Sequence, residues 1–67
     1  MDFKCKGDHI ELIKLLKHLN LVESGGMAKQ VVSDGRVQVN GEVELRKRRK
    51  LVSGDLISFE GNLVTLS

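Results

Sequence analysis

The feature that most constrains this chain is a change of apolar rhythm at its midpoint. Up to Gly35 the apolar residues recur at helical spacing, and beyond it they recur at every second position. A helix turns about 3.6 residues per turn while a strand alternates its side chains with a period of 2, so one pattern cannot serve both. The first half is therefore expected to be helical and the second half built of strands. Leu12, Leu15, Leu16 and Leu19 fall on one arc of a helix, with Glu11, Lys14 and His18 opposite. Asp8 with Glu11 three residues later fits a capping box, which predicts that the first helix starts there, and Asn20 offers a stop. Ser24 fits the N-cap of a second helix in which Met27, Ala28, Val31 and Val32 share a face. Gly35 closes that helix as the left-handed residue after its C-cap.

Past Gly35, Val37 and Val39 alternate with Arg36 and Gln38, and Val43 and Leu45 alternate with Glu42 and Glu44. Between the two runs, Asn40-Gly41 is the pair that best tolerates positive φ at both centres of a type I′ turn, so a tight hairpin is expected. Ser53-Gly54-Asp55 turns the chain again, and Gly61-Asn62 resembles a second two-residue turn, between strands over 56–60 and 63–66. The fold class that follows is α+β: two N-terminal helices packed on a small, mainly antiparallel sheet of short strands. Residues 1–67 form one domain, with 1–7 expected to be a mobile segment ahead of the first helix.

A chain of 67 residues withdraws only about 60% of its unfolded surface from water, so the core must be lean. Apolar residues at 40% against charged ones at 30% still suit a folded domain rather than a disordered one. Cys5 is the only cysteine, so no disulfide reinforces that core, and an unpaired thiol points to a reducing, cytoplasmic setting. The first residues mix charges of both signs without an apolar stretch, and no run approaches the ~20 apolar residues that cross a bilayer. No membrane association is expected. Heptads and a long apolar helix surface are both missing, so a monomer is expected.

Net charge is only +2, so the placement of charge matters more than its sum. From Lys29 to Lys50 there are seven basic residues (Lys29, Arg36, Arg46, Lys47, Arg48, Arg49, Lys50) against three acidic ones (Asp34, Glu42, Glu44), a local balance of +4. The run Arg46-Lys47-Arg48-Arg49-Lys50 has no apolar member and must be solvated or held against something anionic, as an exposed loop or edge. Lys29 and Gln30 face outward on the second helix, with Arg36 just beyond its end, so helix and loop together form a basic face. Phe3 and Phe59 are the only aromatics, and Phe59 alternates with Ile57 as a core residue does. Stacking platforms for single strands are missing on this count, which favours the shape and phosphates of folded RNA as the ligand.

Other chemistries find little support. His9 and His18 lie nine residues apart and point in different directions on a helix. Cys5 and His9 supply only two ligands, a poor zinc site. Gly25-Gly26 lacks the spacing of a phosphate loop. No metal, cofactor or catalytic group is expected, and the chain is read as a non-enzyme.

The order of two helices, then Ser33-Asp34-Gly35-Arg36-Val37-Gln38-Val39-Asn40-Gly41-Glu42-Val43, a basic stretch and Val52-Ser53-Gly54-Asp55, resembles the RNA-binding domain of the ribosomal protein S-four type. The likeness covers about residues 9–60 and extends to the small bacterial proteins that consist of this domain alone. It implies an L-shaped helix pair, the alpha-L motif, over a small sheet, whose polar face meets ribosomal or transfer RNA, with the ribosome as a candidate partner. It also implies Lys29, Gln30, Arg36, Asn40, Arg46, Lys47, Arg48, Arg49 and Lys50 as the contacts. Family members usually place an arginine shortly after the serine that opens the second helix, whereas Ser24 here is followed by Gly25-Gly26-Met27. With that arginine missing, the alternative is a protein-binding adaptor whose basic loop meets an acidic partner.

Overall fold

The computed structural model describes all 67 residues. In chain order the elements are β1 (Asp2–Phe3), β2 (Ile10–Glu11), α1 (Leu12–His18), α2 (Gly25–Ser33), β3 (Val37–Val39), β4 (Glu42–Val43), β5 (Lys50–Leu51), β6 (Leu56–Phe59) and β7 (Asn62–Leu66). The class is α+β, but the helices are not the first elements, because two short strands precede them. β1 runs parallel to β7, pairing Asp2 with Thr65 and Phe3 with Leu66, and the Cys5 amide donates to the Ser67 carbonyl at 3.0 Å. The expected mobile segment is thus tied to the sheet by main-chain bonds, which ask nothing of side-chain pattern and so leave no trace in the sequence.

The first helix starts later than the capping box suggests. Ile10 and Glu11 are extended and pair with Leu51 and Lys50, and Glu11 is the N-cap residue with no capping bond from its side chain. Two amides of the observed first turn find distant partners. Leu12 donates to the Arg49 carbonyl at 2.9 Å and Ile13 to the Lys47 carbonyl at 3.2 Å. Long-range main-chain acceptors serve this turn, and no side chain caps it.

Both helices end in the same hydrogen-bonded pattern. In α1, Leu21 donates to Leu16 O and Asn20 to Lys17 O; in α2, Arg36 donates to Val31 O and Gly35 to Val32 O. These are the paired bonds of a Schellman motif, which needs a left-handed residue at its centre. Asn20 (φ 58°) and Gly35 (φ 75°) supply it, as expected from the sequence. A Cβ on Gly35 would meet only Val43 Cγ1 at 3.6 Å and Leu45 Cδ2 at 3.9 Å, which are ordinary contacts. Gly35→Ala is therefore expected to cost stability through backbone strain alone, about 1–2 kcal/mol, visible as a lower urea midpoint at unchanged slope.

At the other end of α2, Ser24 Oγ accepts from the Met27 amide at 3.1 Å, the expected N-cap. Ala28, Val31 and Val32 are buried, whereas Met27, at the edge of their arc, remains 47% exposed. Helix α1 buries Leu12, Leu15 and Leu16; Leu19 falls just beyond it and is half-buried.

The main sheet has the order β1-β7-β6-β3-β4, antiparallel except at β1, and β2 with β5 makes a separate two-stranded pair. Its inner face carries Val37, Val39, Ile57, Phe59, Val64 and Leu66, which join the helix residues, Val22 and Leu51 in one core of 14 buried side chains. The Asn40-Gly41 turn has φ 54° and 86°, matching type I′. The second turn is one residue earlier than expected: Phe59 pairs with Asn62, so Glu60 (φ 48°) and Gly61 (φ 82°) are its centres. With no Cβ penalty to decide between flanking residues, glycine alone marks the turn and not its first position.

Candidate nucleic-acid interface

The basic loop is built around a carboxylate that the alternation of residues 42–45 places on the wrong side. Val43 and Leu45 are 53% and 60% exposed, while Glu44 is only 7% exposed. The Asn40-Gly41 turn pairs Val39 with Glu42 and Gln38 with Val43, and the Glu44 amide continues this register by donating to Val37 O at 3.0 Å, so Glu44 shares the buried side of Val37 and turns inward beneath the loop. There Glu44 Oε2 accepts from the Arg46 amide at 3.0 Å and from Arg46 Nε at 3.1 Å. Its Oε1 accepts from Arg46 Nη2 at 3.1 Å and from Arg49 Nη1 at 2.7 Å. The hydrogen bonds from Arg46, then the one from Arg49, outweigh partial burial and hold the Glu44 carboxyl down at about 2, while Glu44 raises Arg46 in return. Charge-assisted, forked bonds of this kind fix guanidinium direction as well as position.

Main-chain bonds then anchor the loop to the rest of the molecule. Arg49 N donates to Arg46 O at 3.3 Å to make the turn, the Arg49 and Lys47 carbonyls cap α1, and Lys50 passes into β5 beside β2. The product is a shallow depression of about 530 Å³ lined by Arg46, Arg48, Arg49 and Lys50, with no apolar or acidic wall. Arg48, Lys50 and the neighbouring Lys47 have no ion pair, so their charges are free for an external anion. A cationic hollow without apolar lining suits phosphate oxygens rather than a hydrophobic ligand.

The other residues expected at the interface lie outside this depression. Lys29 is exposed on α2 without an ion pair, and Gln30 Nε2 donates to Asp34 Oδ1 at 2.9 Å on the same helix. Arg36 pairs with Glu60, and its guanidinium lies 5.9 Å from the centre of the Phe59 ring. Asn40 serves the fold: its Nδ2 donates to Asp55 Oδ1 at 3.0 Å and its Oδ1 accepts from the Leu56 amide at 2.9 Å. Burial alone would raise the Asp55 carboxyl, but bonds from the Val52 amide and Asn40 and the charge of Arg49 hold it below the usual range. Asp55 thereby ties the hairpin turn to the strand that follows the loop. The organising role of Glu44 was the functional feature missed by sequence reasoning. The signal available for it was an acid two residues ahead of an arginine run.

A helix pair over a five-stranded sheet, with a braced arginine loop at the start of α1, defines a small domain that presents fixed cations. The S4 domain family model matches residues 3–67, and the chain belongs to that family. It is 48% identical over 59 residues to YbcJ of Escherichia coli (strain K12), covering 88% of this chain and 84% of that protein. The solution structure of YbcJ superposes with a TM-score of 0.73 at 44% identity, over 97% of this chain and 84% of that one, and is described as revealing an alfaL motif involved in RNA-binding. A further relative, the "Probable ribosome maturation protein RlbA" of Bacillus subtilis (strain 168), is 44% identical over 52 residues, 78% of this chain and 73% of that protein.

Proposed function

We propose that this domain binds structured RNA, ribosomal or transfer RNA in class, by seating backbone phosphates against the loop from Arg46 to Lys50, and that it acts in association with the ribosome. One observation carries the reading: four basic side chains line one depression with no apolar or acidic member, and a buried carboxylate holds two of them in place. Fixed cations bind phosphate with less loss of side-chain freedom than a floppy basic tail does. The descriptions of YbcJ and RlbA, as an RNA-binding motif and a ribosome maturation protein, point the same way. The depression offers only cations, which match phosphate oxygens, so the expected recognition is of shape and phosphate spacing. Lys29 and Gln30 extend the surface along α2 in this proposal, and Arg36 joins only by exchanging Glu60 for a phosphate.

The deciding measurement is binding to folded ribosomal and transfer RNA fragments across a salt series. Log affinity is expected to fall linearly with log salt, each phosphate contact adding about −0.7 to −0.9 to the slope. Affinity purification with and without nuclease separates this reading from a protein adaptor. An acidic protein partner that survives nuclease, with no RNA binding at low salt, would favour the adaptor.

A further inference from the structure

A second concave site lies outside the arginine loop. It is a cleft of about 230 Å³ lined by Phe3, Lys4, Lys6, His9, Ile10 and His18. The walls come from four places in the chain: β1, the connection to β2, the first residue of β2 and the last residue of α1. Phe3 and Ile10 are half-buried and pack against the core, so they form a fixed apolar floor. The rings of Phe3 and His18 stand edge to face with centroids 5.1 Å apart. Lys4, Lys6 and His9 are exposed, and neither lysine has an ion pair. No carboxylate lines the cleft, although the first 28 residues carry as many acidic side chains (Asp2, Asp8, Glu11, Glu23) as basic ones (Lys4, Lys6, Lys14, Lys17). From this locally neutral stretch the fold brings two of the four lysines and both histidines to the cleft, and none of the acidic side chains.

An aromatic and apolar floor with a cationic rim matches a flat base attached to a phosphate. The volume is below the roughly 300 Å³ at which pockets for drug-sized ligands begin, which restricts the occupant to about one base. Proteins that recognise RNA single strands stack unpaired bases on Phe or His in this way and hold the adjoining phosphate with lysine. We propose that the cleft receives one unstacked nucleotide from a single-stranded segment leaving the folded RNA, an inference that rests on the RNA-binding function proposed above. The shortage of stacking platforms counted from two aromatics is thereby relieved, because tertiary structure adds His18 to Phe3 and sets lysines around them.

The test compares a blunt RNA hairpin with the same hairpin carrying a short single-stranded adenosine tail, using ¹⁵N-labelled protein and binding titrations. The tail is expected to tighten binding about fivefold to tenfold and to shift the amides of Phe3, Lys4, Lys6, His9, Ile10 and His18, which the blunt hairpin leaves in place. Lys4→Ala/Lys6→Ala, at exposed positions, is expected to remove the tail's increment while leaving the blunt hairpin's affinity unchanged. Phe3→Leu keeps the apolar packing but deletes the ring, and should have the same selective effect. A tail that adds nothing and moves none of these amides, while the blunt hairpin binds and perturbs residues 46–50, overturns the cleft and leaves the RNA function standing. Equal losses by Lys4→Ala/Lys6→Ala on both RNAs also overturn it. If neither RNA binds at low salt, the RNA function fails and the cleft proposal fails with it.

Discussion

Replacing Lys47, Arg48 and Lys50 together by alanine is expected to weaken binding to structured RNA by about a hundredfold at low salt, with folding intact. These three cations have no ion pair in the free protein, so their removal takes away charge without orphaning a buried group. At roughly 1 kcal/mol for each exposed phosphate contact, three losses compound to about two orders of magnitude. The slope of log affinity against log salt should flatten by about 2–3, since each neutralised phosphate contributes close to one unit. The choice of residues matters. Replacing Arg46 and Arg49 would also lower affinity, but it would strand the Glu44 carboxylate, and the loss could not be assigned to phosphate. Unchanged affinity and slope in the Lys47/Arg48/Lys50 variant, with an unaltered circular dichroism spectrum, would remove this loop from the interface.

Glu44→Ala is expected to be the most damaging surface-loop substitution for stability, lowering it by about 2–3 kcal/mol. Four hydrogen bonds end on this carboxylate, and Arg49, whose side chain is 29% exposed, would lose the carboxylate it is hydrogen-bonded to. In a domain of this size each kcal/mol moves the melting temperature by about 4–8 °C, so a fall of the order of 10 °C or more is expected. The wild type should show the same interaction through acid. Glu44 is depressed in the folded state from 4.5 to about 2, so its contribution is complete above about 4.5 and disappears as the pH falls towards 2. The acid-induced loss between those limits should be smaller in Glu44→Gln, which keeps some hydrogen bonds but has no proton to take up. Identical acid unfolding of wild type and Glu44→Gln would show that this carboxylate does not stabilise the fold.

The two predictions pull on different halves of one device. Lys47, Arg48 and Lys50 offer charge, while Glu44, Arg46 and Arg49 set the shape that offers it. A loop of five basic residues in sequence is a solvated stretch under mutual repulsion. Held by one buried acid and by two helix-capping carbonyls, the same five residues become a surface with a definite geometry. That distinction separates general attraction to polyanions from recognition of a particular phosphate spacing, and it was not visible in the run Arg46–Lys50 itself.

What the sequence by itself determined were the features that rest on neighbours along the chain. The leucine stripe of α1, the Ser24 cap, the left-handed stops at Asn20 and Gly35, and the Asn40-Gly41 turn each involve residues within about one helical turn or one hairpin. Local sterics and local hydrogen bonds decide them, and those are written in order. The tertiary structure alone decided the start of α1, where Ile10 and Glu11 pair with Leu51 and Lys50 as a strand and the Arg49 and Lys47 carbonyls take the first amides of the helix. It also drew Asp2 and Phe3 into the sheet beside β7 and brought Arg46 and Arg49 onto Glu44, which is buried opposite Val37 while Val43 and Leu45 face outward. Asn40, expected at the interface, is engaged with Asp55 and Leu56, and Arg36 with Glu60. Except at Glu44, whose partners Arg46 and Arg49 lie two and five residues on, the partner is distant in sequence, and a main-chain acceptor or a counter-charge in the right place outweighs a local preference of about 1 kcal/mol. Periodicity records which side chains can face the core, but only the assembled fold settles which polar groups meet.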